Sequence, residues 1–168
     1  MDEAECEDER WIVVDGRKWR ATDPNIPEPF RQELVNELMR ARRAIGAAKK
    51  AGDEDRVEAQ RAYVQAAKVA LGERGEPWWE PPSPDGQRHR LEAAVLALSA
   101  HRGPDKTICP SDAARAVGGE GWRSLMDTAR EVARDLAREG TIEVTQKGAA
   151  LDPDVPWRGP VRIRRLAT

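Results

Sequence analysis

Residues 75–86 read Gly-Glu-Pro-Trp-Trp-Glu-Pro-Pro-Ser-Pro-Asp-Gly, with Pro77, Pro81, Pro82 and Pro84 crowded together. Each proline removes a backbone donor and fixes φ, so neither a continuous helix nor a central strand can run through the segment. The stretch 76–87 therefore reads as a linker that divides the 168-residue chain into two small units. Trp78 and Trp79 sit inside it. Two adjacent indoles in an extended strap most often plug a groove between neighbouring units, and they are also the natural candidates for contact with a partner. Because Trp supplies six of the eight aromatic residues, the core of either unit must be mainly aliphatic and rich in alanine.

The unit before the strap, 11–75, opens with Trp11-Ile12-Val13-Val14-Asp15-Gly16-Arg17-Lys18-Trp19-Arg20. Two β-prone runs flank Asp-Gly, the dipeptide suited to a two-residue type I′ turn, which predicts a β-hairpin. In that register Val14 faces Arg17 and Ile12 faces Trp19, so Ile12, Val14 and Trp19 share one face. A lone hairpin is marginal in water and needs a surface to lie on. The next segment provides one: Phe30, Leu34, Leu38, Ala41, Ile45 and Ala48 recur at helical spacing. After Ala51-Gly52-Asp53, a second run with Val57, Val64, Ala67 and Leu71 on one face completes an antiparallel helical hairpin. Ahead of all this, residues 1–10 hold six acids and one Arg, an acidic tail expected to be disordered, although such a leader could also occupy a basic surface and mimic phosphate.

The later unit, 88–168, changes period several times. Leu91, Ala94, Val95 and Leu98 define a first helix, from Arg90 to His101, ended by Gly103-Pro104. The β-prone Lys106-Thr107-Ile108-Cys109 follows, then a short helix over 110–118, then a third helix with Trp122, Leu125, Met126, Ala129, Val132, Ala133 and Leu136 on its apolar face. Thr141 to Gln146 alternates as a strand, and so does Val161 to Arg164 beyond a Pro- and Gly-containing loop. Helix, strand, helix, helix, strand, wing, strand is the order of a winged helix. The whole chain is thus expected to be mainly α, in an α+β arrangement: β-hairpin and helical hairpin first, winged helix second.

Two sets of motifs carry resemblances. Lys106-Thr107-Ile108-Cys109-Pro110-Ser111, Trp122-Arg123-Ser124-Leu125-Met126 and Ile142-Glu143-Val144-Thr145-Gln146-Lys147-Gly148 resemble a bacterial winged-helix family of unknown function, over roughly 88 to 166. That resemblance implies the fold and supplies no activity. Val14-Asp15-Gly16-Arg17-Lys18-Trp19-Arg20-Ala21-Thr22-Asp23-Pro24 and Lys68 to Trp79 resemble proteins labelled "biopolymer transporter Tol". Energy-coupling proteins of that name need a membrane anchor, and no apolar run here approaches the roughly 20 residues of a spanning helix. The start of the chain also lacks the basic and apolar regions of a secretory signal, so a soluble cytoplasmic protein is expected.

Chemistry is thinly represented. No P-loop, dinucleotide fingerprint or metal-ligand spacing occurs, so no enzyme activity, cofactor or metal is expected. His89 and His101 lie where solvated or cap-bonded imidazoles are usual. Cys109 precedes a short helix that could activate it, though a buried inert thiol is the commoner case, and a bridge to Cys6 is disfavoured in a reducing compartment. Charge says more. Residues 88–168 carry fourteen Lys or Arg against eleven acids, net +3 in a chain of net −2. At 100° per residue Arg123, Arg130, Arg134 and Arg138 form a strip on the third helix. Lys147 at the wing, with Arg162 and Arg164 on the last strand, would extend it. Such a surface fits duplex DNA in a regulatory role. Against it, Asp127, Glu131 and Asp135 each precede an Arg by three residues and could neutralise it. The alternative is a protein adaptor that uses the helical hairpin and the Trp78-Trp79 strap, with the winged helix as scaffold. Oligomeric state is not legible.

Overall fold

The computed structural model describes residues 9–166, so Cys6 and most of the acidic tail lie outside the described residues. Strands β1 (Trp11–Val14) and β2 (Arg17–Arg20) pair antiparallel with Val14 opposite Arg17 and Ile12 opposite Trp19, the register expected of the Asp-Gly turn. Asp15 and Gly16 take φ of 50° and 77°, as a type I′ turn requires. Helix α1 (Glu28–Ala51) ends at Gly52, and α2 (Glu54–Ala70) starts from Asp53, whose carboxylate accepts from the Arg56 amide at 3.1 Å.

Helix α3 (Pro84–Arg102) begins earlier than the sequence suggests and takes up the last residues of the expected linker. The reason is local: Ser83 caps the helix by accepting from the Gly86 amide at 3.0 Å, and Pro84 occupies a first-turn position where no amide donor is needed. A proline that could not sit inside a helix thus starts one. Ile108 then makes an isolated antiparallel bridge to Ile163, and α4 (Pro110–Gly118) follows. A 3-10 turn, Gly119–Leu125, precedes α5 (Met126–Arg138), so Trp122 and Arg123 lie ahead of the α-helix proper rather than within it. The second sheet has the order β4-β3-β5, from β3 (Ile142–Gln146), β4 (Ala149–Ala150) and β5 (Arg162–Arg165). A tight Lys147-Gly148 turn joins β3 to β4, and the long loop 151–161 comes only afterwards. The fold is therefore mixed α and β, with two small antiparallel sheets.

The two units share one core. Leu34 and Leu38 of α1, Ala67, Ala70 and Leu71 at the end of α2, and Leu91, Val95 and Leu98 of α3 belong to the same buried cluster as Val132, Val144 and Ile163. Helix α3 packs on α1 and α2 as well as on α4 and α5. It can do so because 91–100 is apolar nearly all round, and its alanines let neighbouring axes come close. A buried ion pair reinforces the junction: Arg90 of α3 donates to Asp23 at 2.8 Å, and its Nε to the Ala70 carbonyl at 3.3 Å.

The tryptophan strap fastens the hairpin to this body. Trp78 Nε1 donates to the Ala21 carbonyl at 3.0 Å, and Trp79 lies edge-on to Trp11 and to Trp78 at centroid distances of 5.7 and 5.3 Å. Both strap indoles are half-buried. Gly72 is required beneath them, since its φ is 79° and a Cβ there would stand 3.0 Å from Asp23 Cβ and 3.2 Å from the Trp78 ring. No helix among the described residues is long and apolar enough to cross a membrane.

Candidate nucleic-acid interface

The arginines of α5 face the loop 151–161, which lies across them. Arg130 donates to the Trp157 and Gly159 carbonyls at 3.1 and 3.2 Å. One turn on, Arg134 donates to the Val155 carbonyl at 2.7 Å and to that of Pro153, with its guanidinium 4.1 Å from the centre of the Trp157 ring. Another turn on, Arg138 binds Asp154 at 2.8 Å. The four-residue spacing that puts these side chains on one helical strip also lets them hold successive carbonyls of a single extended segment. The loop is also held within itself and by β3: Trp157 Nε1 donates to the Asp152 carbonyl at 2.9 Å, and the Gln146 amide donates to the carbonyls of Arg158 and Pro160.

Of the three intrahelical pairs anticipated from the spacing, the structure forms only Asp135 with Arg138 among the described residues. Glu131 turns instead to Arg88 on α3, which Asp135 also engages. Arg130 and Arg134 are thus left with neutral carbonyl partners and no carboxylate partner, so their charge is not cancelled within the described residues. Arg138 differs. Its hydrogen bond and proximity to Asp154 and Asp135 raise its pKa still further and leave the group charge-compensated.

The other expected members of the strip divide. Arg123 is exposed and stacks on Trp122 at 4.7 Å, with Arg115 of α4 at 4.6 Å from the same ring. Lys147 is exposed at the tip of the β3–β4 turn, next to the Gln146 that anchors the loop. It is therefore in the tight hairpin and not in the long loop taken as the wing. Arg162 does not join the strip: it donates to Thr107 Oγ1 at 2.8 Å and to the Thr107 carbonyl at 3.3 Å, with Cys109 Sγ 3.0 Å away. Arg164 is opposite Glu143 in the β3–β5 register and forms an ion pair with it. Strand pairing therefore directs these two side chains elsewhere. Trp78 and Trp79 are packed against the hairpin as described above.

Arg158, exposed in the loop beside Trp157, and Arg115 were not singled out from the sequence. For Arg158 the available signal was adjacency to Trp157; Arg115 meets the Trp122 ring, seven residues on in sequence, only in the folded chain. Among the described residues no cluster of His, Cys, Asp and Glu could hold a metal ion, and Cys109 carries a free thiol. No curated protein matches the chain. Residues 88–166 match a family described as "Protein of unknown function (DUF3253)", so the later part of the chain carries a domain of unknown function.

Proposed function

We propose that residues 84–166 form a winged helix that binds duplex nucleic acid in a regulatory role. Its helices are α3, α4 and α5, its sheet is β4-β3-β5, and loop 151–161 is its wing. The observation that carries this reading is the bonding of Arg130 and Arg134 to carbonyls alone, which leaves positive charge on the joint surface of α5 and the loop. In this role those two arginines position the wing and supply field, while the exposed Arg123, Lys147 and Arg158 meet phosphates. Arg162 and Arg164, engaged with Thr107 and Glu143, are left out of the interface. The role needs no cofactor and no catalytic step, and fits a cytoplasmic protein.

A domain of net +3 supports modest affinity that falls steeply with salt. Fluorescence anisotropy of a labelled duplex titrated with the full chain at two salt concentrations tests this. Salt-sensitive binding is expected, with Arg123→Ala and Arg158→Ala each flattening the dependence of log K on log salt by about one unit. No binding at low salt would overturn the proposal and leave the adaptor alternative. That alternative draws no support from the strap, because both of its indoles already pack on the hairpin.

A further inference from the structure

The large apolar side chains left exposed among the described residues are Ile12, Val13, Val14, Trp19, Met39 and Val155, and four of these six line one groove. The groove, of about 590 Å³, runs between the β1–β2 hairpin and the α1–α2 pair, floored by Val35 and Leu38. Its size falls within the roughly 300–1,000 Å³ usual for small-molecule sites. The hairpin does not close over α1; it stands off and leaves its own apolar face open.

The groove is cationic as well as apolar. Lys68, Arg20, Arg42 and Arg74 line it against a single carboxylate, Glu73, which already accepts from Thr22 Oγ1 at 2.8 Å. Lys68 is only 9% exposed, yet among the described residues its ammonium has neither a hydrogen-bond acceptor nor a carboxylate partner; its nearest engagement is the Trp19 ring at 5.2 Å. Arg20 Nε is buried without an acceptor, although Nη1 of the same guanidinium donates to the Gly75 carbonyl at 2.8 Å. An unpaired ammonium that burial of its side chain partly desolvates is costly, and burial leads the causes that hold the Lys68 pKa below its ordinary value. A neutral apolar guest would leave that cost in place, and a polyanion would waste the apolar walls.

We propose that this groove binds a small organic acid, its carboxylate on Lys68 and its flat apolar body between Trp19 and Met39. The site is separate from the α5 surface and stands whether or not the chain binds nucleic acid. Isotope-labelled full-length protein titrated with 2-naphthoate, and in parallel with the neutral 2-naphthalenemethanol, tests it by amide and indole NMR shifts. Saturable shifts at Trp19 and Lys68 are expected, with the acid bound about tenfold more tightly than the alcohol. Lys68→Met should erase that preference and leave alcohol binding within about twofold. Lys68→Arg, which keeps the charge, should retain the preference. Equal affinity for acid and alcohol, a preference that survives Lys68→Met, or no saturable shift at millimolar naphthoate would each overturn the proposal. Binding seen only after residues 1–8 are removed would overturn it too, assigning the groove to the chain's own acidic start.

Discussion

Two surfaces of this protein bring cations and apolar side chains together, and they are completed differently. On α5, a distant part of the same chain meets the arginines: the carbonyls of 153, 155, 157 and 159 accept from Arg130 and Arg134, and Trp157 lies on Arg134. In the hairpin groove, none of the described residues gives Lys68 a hydrogen-bond acceptor or a carboxylate partner, and Ile12, Val14 and Met39 stay open to solvent. A cation supplied with acceptors by its own fold contributes to stability. One that is desolvated and left without an acceptor costs stability and is free to recognise something else. The sign of a charge-removing substitution separates the two cases.

The largest effect is expected at the fully paired extreme. Arg90→Met leaves Asp23, 4% exposed, without its cation in the seam between the two units. Urea unfolding should show a loss of about 3 kcal/mol, and a change below about 1 kcal/mol would mean that the seam does not depend on this pair. An intermediate effect is expected on α5. Arg134→Met removes two carbonyl bonds and the stack on Trp157, for a loss of about 1–2 kcal/mol, with faster hydrogen exchange confined to residues 152–160. Unchanged exchange there would show that the loop holds itself.

The smallest effect has the opposite sign. Lys68→Met should stabilise the protein, by on the order of 1 kcal/mol or less. Burial depresses the Lys68 pKa, an effect that Glu73 opposes and that Arg74 and Arg42 reinforce. In the window below 10.5 the unfolded chain therefore binds more protons at this site than the folded one, and wild-type stability rises with pH as the folded group deprotonates. The advantage of Lys68→Met should accordingly be greatest at neutral pH and shrink towards pH 10.5, as read from paired thermal melts. A constant difference across that range would place the methionine's gain in packing rather than charge.

The elements were largely legible because their signals are local. Asp15-Gly16 specified a turn and, through it, the pairing of Ile12 with Trp19. The glycine at 52 and the aspartate at 53 marked the break between α1 and α2. Pro84 misled, since the residue that forbids a helix interior is welcome in its first turn once Ser83 supplies the cap. The candidate interface was legible only in part. Helical spacing put Arg130, Arg134 and Arg138 on one strip, but the same spacing suggested carboxylate partners three residues back, of which only Asp135 is used by its arginine. Arg164 was read as a surface cation, although Glu143 stands across from it as soon as β3 and β5 are in register.

Sequence alone determined the periodicities, the caps and turns, and the division of charge between a net acidic start and a net basic C-terminal half. Those properties depend on neighbours within a few positions along the chain, where chain geometry fixes who can meet whom. Only the tertiary structure decided which charges are satisfied. The acceptors of Arg130 and Arg134 are backbone carbonyls 19 to 29 residues away, and a carbonyl has no residue type to announce it. Lys68 lies in a stretch, 66–72, that is buried throughout, because α1 and α3 both pack on α2. Neither fact has a local cause, and both surfaces owe their character to contacts made only when the chain has folded.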